Sequence, residues 1–133
     1  MPRVMIIDDD RLIRQGLAMR LRCAGFDALA TAHPDEALRL ALRNRPDAIL
    51  LDIDMPGFNG LDFHDCLRVT ERGRDIPVIY LSGHASAANR ADAFSQGARA
   101  FIAKPYEPQE LIATLTGIIA ADARRRLSAA TGG

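Results

Sequence analysis

The sequence predicts an α/β fold, a doubly wound sheet of five parallel strands with a layer of helices on each side. Three observations predict it. Four short apolar runs, Val4-Met5-Ile6-Ile7, Ala48-Ile49-Leu50-Leu51, Val78-Ile79-Tyr80-Leu81 and Ala100-Phe101-Ile102-Ala103, read as strands buried on both faces. Stretches of helical pattern separate them, which is the alternation that builds a parallel sheet with right-handed crossovers. Each run also stops abruptly at a polar residue: Asp8 with Asp9 and Asp10 behind it, then Asp52, Ser82 and Lys104. Open parallel sheets bind ligands beyond the carboxyl ends of their strands, where the strand order reverses. The four stops therefore mark a candidate site.

The elements follow in order. After the first acidic cluster, Ile13, Leu17, Leu21 and Ala24 fall on one helical face, and Gly25 caps that helix. Residues 26–32 form a weaker strand candidate. His33-Pro34-Asp35-Glu36 opens a second helix, with proline in its first turn and acids at the positive end of its dipole. It runs to about Asn44. The loop Met55-Pro56-Gly57-Phe58 follows the second strong run and is irregular because of its proline and glycine. Asn59, with Asp62 three residues on, caps a third helix to about Glu71. A fourth helix, rich in alanine, follows Ser82 and ends near Gly97. The fifth begins after Pro105, with Pro108 and Glu110 in its first turn. Residues 1–121 are thus read as one domain, and residues 122–133 as a frayed helix end and flexible tail.

Composition excludes several classes. A chain of 133 residues is one domain, able to bury roughly two-thirds of its unfolded surface. A formal net charge of zero gives no global basic field for nucleic acid or membrane. Cys23 and Cys66 make no disulfide framework and suit a reducing cytosol. No signal peptide and no apolar run of membrane-spanning length is expected, so the sequence reads as cytoplasmic. His33, His64 and His84 lack zinc-ligand spacing, and no glycine-rich nucleotide loop is present. Of 17 basic residues only Lys104 is lysine. That points to a place where a compact ammonium is needed and a planar guanidinium would not fit.

The strand ends suggest specific chemistry. Asp8, Asp9 and Asp52 are expected to lie close together, and two like charges about 4 Å apart repel by roughly 4 kcal/mol at an effective dielectric near 20. Either one carboxyl keeps its proton or a hard divalent cation binds through oxygen. Mg²⁺ suits the set, because it accepts a few carboxylates and keeps water and phosphate oxygens as its other ligands. The plainer alternative is that Asp8, Asp9 and Asp10 only favour the N-terminus of the first helix. The matching Asp52, Ser82 and Lys104 weigh against it. Lys104 would balance phosphoryl charge opposite the metal, Ser82 would donate to a phosphoryl oxygen, and Asp52 would be the nucleophile forming an acyl phosphate.

The motifs Ile6-Ile7-Asp8-Asp9-Asp10, Leu50-Leu51-Asp52-Ile53-Asp54-Met55-Pro56-Gly57, Tyr80-Leu81-Ser82-Gly83 and Ala103-Lys104-Pro105 together resemble the receiver domain of bacterial two-component response regulators. Each is weak alone; the four in order, over about residues 3–121, are specific. The resemblance implies a flavodoxin-like (βα)₅ sheet in the order 2-1-3-4-5. It implies that Asp52 accepts a phosphoryl group from a phosphohistidine of a sensor histidine kinase or histidine phosphotransfer protein. Asp8, Asp9 and Asp52 would hold Mg²⁺, with the backbone carbonyl of Asp54. Ser82 would swing towards the phosphoryl group and Phe101 would move inward, reshaping the face made by the fourth helix, fifth strand and fifth helix. That face would meet a downstream protein target, and a homodimer through it is an open alternative.

Some positions depart from the family. Phe101 stands where many members carry Tyr, and Ser82 replaces the commoner Thr, leaving its hydroxyl less constrained about χ1. Asp54 and His84 occupy positions that tune phosphoryl lifetime in the family; His84 reads equally as a solvated cap of the fourth helix. The main rival is a phosphatase. Asp52-Ile53-Asp54 resembles the nucleophile and acid pair of haloacid dehalogenase-like phosphatases. Those enzymes, however, carry their metal-binding acidic pair after the lysine, and here it precedes the nucleophile. A module that has lost phosphorylation would lack one of these residues. A direct DNA binder would need output helices, and Arg124-Arg125-Arg126 reads as a solvated helix end. The expectation is a signalling domain, not an enzyme acting on other substrates. It is either stand-alone or cut from a longer regulator.

Overall fold

The computed structural model describes residues 1–57 and 59–131, without the side chains of Pro34 and Thr131. Phe58, in the loop after the second strong run, and the terminal Gly132 and Gly133 lie outside the described residues. The chain alternates β1 (Arg3–Ile7), α1 (Arg11–Cys23), β2 (Asp27–Thr31), α2 (Pro34–Asn44), β3 (Ala48–Asp52), α3 (Gly60–Arg68), β4 (Val78–Ser82), α4 (Ala87–Ser95), β5 (Ala100–Ala103) and α5 (Pro108–Thr131). The strands form one parallel sheet in the order β2-β1-β3-β4-β5. This is the expected flavodoxin-like arrangement. The chain reverses its direction of winding between β1 and β3, so the acids after both strands meet at the switch point.

Alternation along the strands divides the core. Met5, Ile7, Ile49, Leu51, Val78 and Tyr80 face Ala37 and Ala41 of α2, Phe63 and Leu67 of α3 and Ala93 of α4. Val4, Ile6, Leu50, Ile79 and Leu81 face Leu17, Ala18 and Leu21 of α1 and Leu111 and Leu115 of α5. Every side chain of β3 and β4, and of β1 from Val4 on, is thus covered whichever way it points, which explains their unbroken apolar runs. The edge strands β2 and β5 are only partly covered.

The helix ends are set by local chemistry. Asp10 caps α1, its Oδ1 accepting from the N–H groups of Leu12 and Ile13. Beyond Ala24, Gly25 adopts φ +93, the left-handed conformation that closes a helix without a Cβ penalty. Asn59 caps α3 as expected, accepting from Leu61 and Asp62.

Several expectations need correction. Ile13 is 42 % exposed and Ala24 is also exposed; the buried face of α1 is Leu17, Ala18 and Leu21. Helix α3 ends at Arg68, not near Glu71, because Thr70 turns its hydroxyl onto the Leu67 carbonyl and accepts the Gly73 N–H, closing a turn. Helix α4 is capped by Ser86, whose Oγ accepts from Asn89 N–H, and not by His84. Helix α5 continues past Asp122 to Thr131, where a frayed end was expected. Asp122 lies 3.5 Å from Arg99 and from Arg126 and 3.4 Å from Arg125. The three arginines compensate an otherwise costly buried carboxylate.

One polar pair lies inside the core. Tyr80, fully buried, meets His64 of α3 at 2.7 Å between its hydroxyl and Nδ1. Burial first, then the nearby Arg68 charge, pushes the imidazole down to about 4 against the opposing pull of Asp65. Burial also pushes the phenol up to about 12. A neutral imidazole and an un-ionised phenol therefore share this hydrogen bond, with its direction set by the His64 tautomer. An unfolded histidine takes up its proton near 6.5, so the unfolded state binds more protons than the folded one between pH 6.5 and about 4. Stability falls as pH drops through that window, by on the order of 3 kcal/mol from this residue. Asp8, raised to about 6, gives the opposite slope between pH 3.8 and 6. Denaturant titrations of His64→Gln should therefore show the Asp8 slope without the His64 loss. Parallel pH profiles for the two proteins would refute the assignment.

Candidate functional site: an acidic pocket at the sheet edge

Parallel register brings the strand-end side chains together. Ile7 is level with Leu51, so Asp8 and Asp52 follow side by side, while Ser82 is paired with Ala103, the residue before Lys104. Carboxylate oxygens of Asp8, Asp9 and Asp52 all lie within 4.8 Å of one another. Asp8 and Asp52 are buried and Asp9 is exposed. Asp10, which shares the acidic run, serves the helix and not the pocket.

Asp8 carries the clearest unmet demand. Its Oδ1 accepts the Asp10 N–H at 2.9 Å, but its buried Oδ2 has no hydrogen-bond partner among the described residues. Burial, reinforced by the Asp52 and Asp9 charges, raises this carboxyl to about 6 against the opposing Asp10 N–H and Lys104. An orphaned oxygen beside two further carboxylates is a donor set suited to a hard divalent cation.

Asp52 lies between the acids and the base. Its Oδ1 accepts the Asp54 N–H at 2.9 Å and stands 3.0 Å from Lys104 Nζ. Burial disfavours the Lys104 ammonium, but the Asp52 hydrogen bond and the Asp52, Asp8 and Asp54 charges outweigh it and hold its pKa above the usual lysine value. The chain's one lysine thus faces three carboxylates.

Ser82 and Asp54 form a pair that sequence reading did not join. Ser82 Oγ donates to Asp54 Oδ1 at 2.8 Å, and Gly83 N–H donates to Asp54 Oδ2 at 2.7 Å. His84 Nδ1 is 3.4 Å from Asp54 Oδ1, although the imidazole itself is largely exposed. Burial works against the Asp54 carboxylate, but the Gly83, Ser82 and His84 hydrogen bonds and the Lys104 charge hold it below the usual range.

Phe101 stands apart from this cluster. Its ring is buried, with the Arg90 guanidinium 5.1 Å above it, and Arg90 Nη1 also reaches the Phe101 carbonyl at 3.3 Å. Two neighbours escaped the sequence reading. Tyr106 has its phenol raised by burial and then by the Asp8 charge, so its ionisation is coupled to the pocket's acids. Arg14 donates to the Asp8 carbonyl at 2.9 Å. Tyr106 lies two residues past Lys104, a signal that was present; nothing in the sequence marks Arg14 among 16 arginines.

Fold and site together define a parallel α/β domain with an acidic pocket at its switch point. The sequence model of the response regulator receiver domain matches residues 4–116, and the chain belongs to that family. It is 38 % identical over 130 residues to the transcriptional regulatory protein PrrA of Mycobacterium tuberculosis, covering 98 % of this chain and 53 % of that protein. It is 33 % identical over 116 residues to the phosphate regulon transcriptional regulatory protein PhoB of Pseudomonas aeruginosa, covering 87 % and 51 %. The chain spans about half the length of the curated relatives it matches. Among solved structures it is similar to the chemotaxis response regulator CheY4 of Vibrio cholerae, with a TM-score of 0.82, 30 % identity and coverage of 89 % and 98 %. A putative response regulator from Chloroflexus aurantiacus gives a TM-score of 0.82 at 31 % identity, covering 90 % and 99 %. Among the described residues no helix is long and apolar enough to cross a membrane.

Proposed function

We propose that this receiver accepts a phosphoryl group onto Asp52 from a phosphohistidine of a sensor histidine kinase or a histidine phosphotransfer protein. The observation that carries the reading is the Asp52 carboxylate, buried between the Asp8 and Asp9 oxygens and the Lys104 ammonium at 3.0 Å. An Asp52 oxygen attacks phosphorus, the P–N bond breaks, and its electron pair leaves with the imidazole. Lys104 balances the charge carried by the phosphoryl oxygens, and positioning supplies most of the rate. Asp8, Asp9 and Asp52, with the main-chain carbonyl of Asp54, would hold Mg²⁺. The ion would neutralise carboxylate and phosphoryl charge there. The orphaned Asp8 oxygen supports that assignment.

Ser82 then changes partner, and Phe101 reports the change. The Phe101 ring is buried with the Arg90 guanidinium over it, so its movement would shift that cover as well. The face formed by α4, β5 and α5 passes the signal to a downstream protein or to a second copy. Residues 1–121 form the receiver unit and residues 122–131 a helical extension. We place the protein in the cytoplasm, as a signalling domain without direct nucleic-acid or membrane contact. Where the chain is part of a longer regulator, the transcriptional role in the names of PrrA and PhoB points to a transcriptional output.

The phosphatase reading, with Asp54 as general acid, is disfavoured. An acid must hold a proton, and Asp54 is bound by donors that keep it ionised. The test is incubation with a small phosphodonor with and without Mg²⁺, followed by intact mass. One hydroxylamine-labile phosphoryl group should appear, and only with the divalent cation. A label that resists hydroxylamine or forms without the cation overturns the reading.

A further inference from the structure

We propose that Asp54 is an internal stand-in for the phosphoryl group, a latch that holds the switch hydroxyl and the turn after β4 until Asp52 is phosphorylated. The inference rests on the receiver reading above. A serine hydroxyl has one proton to donate. Here that proton is committed to Asp54 Oδ1 at 2.8 Å, while the oxygen accepts the His84 N–H at 2.9 Å. The neighbouring Gly83 N–H is committed to the other Asp54 oxygen at 2.7 Å, and Lys104 Nζ lies 3.9 Å from it. One carboxylate thus engages a hydroxyl, a backbone amide and an ammonium, the donor types that stabilise a phosphoryl dianion.

Ser82 cannot donate to Asp54 and to a new group on Asp52 at once. Activation is therefore an exchange of acceptors, and the Asp54 bonds set how far it proceeds. The turn has room to move, because it borders a cavity of about 590 Å³ lined by Asp54, Ser82, His84, Gly60 and Asn89. Asp54 is a positioning residue in this account. Its own N–H, bonded to Asp52, fixes the carboxylate beside the acceptor without placing it in the reaction.

The experiment titrates the whole chain with beryllofluoride in Mg²⁺, a phosphoryl stand-in, while following the Gly83 and His84 amides by NMR. In Asp54→Ala both amides should shift before any beryllofluoride is added, and the midpoint should fall about ten- to hundredfold, the worth of a lost charge-assisted hydrogen bond. Asp54→Asn should fall between, since its amide offers one acceptor where two donors point.

Relief of charge repulsion would also tighten binding, so the cycle is repeated in a Ser82→Ala background. A latch predicts that removing Asp54 gains distinctly less there, because no hydroxyl remains to release. Equal tightening in both backgrounds, or Gly83 and His84 amides unmoved by Asp54→Ala, overturns the latch and leaves phosphorylation at Asp52 intact. Failure of the wild-type chain to take up either beryllofluoride or phosphoryl label overturns both.

Discussion

Asp52→Asn should abolish phosphoryl labelling, with signal no higher than that of the wild type lacking divalent cation. Asparagine matches aspartate in shape and keeps an oxygen to accept the Asp54 N–H, so the loop after β3 retains its hydrogen bond. The amide oxygen is a poor nucleophile and carries no charge for Lys104 or a cation. Folding should survive, because Lys104 still has the charges of Asp8 and Asp54 nearby. Circular dichroism and Tm provide that control. The Asp8 carboxyl should also move down from about 6, since the Asp52 charge is one cause of its elevation. Labelling that persists in the folded variant would move the acceptor to another residue and remove the basis of the proposed function.

Lys104→Ala should slow phosphorylation by about ten- to hundredfold, or about 1.4 to 2.8 kcal/mol of barrier. A unit charge about 4 Å away is worth roughly 4 kcal/mol at an effective dielectric of 20. The Lys104 side chain is 27 % exposed, so water replaces part of that. Lys104→Arg separates charge from shape. The guanidinium keeps the charge, but its rigid fork must enter a space where one ammonium now lies 3.0 Å from Asp52 and 3.9 Å from Asp54. Its rate should fall between wild type and alanine. Full recovery with arginine would mean that charge alone matters, and that a single lysine among so many arginines is chance.

The fold was legible because its signals are local. Apolar runs of strand length, Gly25 at a helix end and Asn59 at a helix start depend on neighbouring residues alone, and all behaved as expected. The misreadings share a cause as well. Ile13 fits the helical stripe of α1, but it is left 42 % exposed. Thr70 looks compatible with a longer α3, yet its hydroxyl finds the Leu67 carbonyl and ends the helix. His64 reads as an ordinary helical residue until Tyr80, sixteen positions away, is packed beneath it.

By itself, the sequence determined which side chains reach one edge of the sheet. A strand's length and its polar stop are written in consecutive residues, and parallel register then aligns Asp8 with Asp52 and Ser82 beside Lys104. Only the tertiary structure decided which of them bind one another. Lys104 meets Asp52, one Asp8 oxygen is left without a partner among the described residues, and Ser82 gives its proton to Asp54 across 28 positions of chain. Hydrogen bonds form or fail over a few tenths of an ångström. Distances of that size between separate strands are set by how both faces of the sheet pack, which no local pattern encodes.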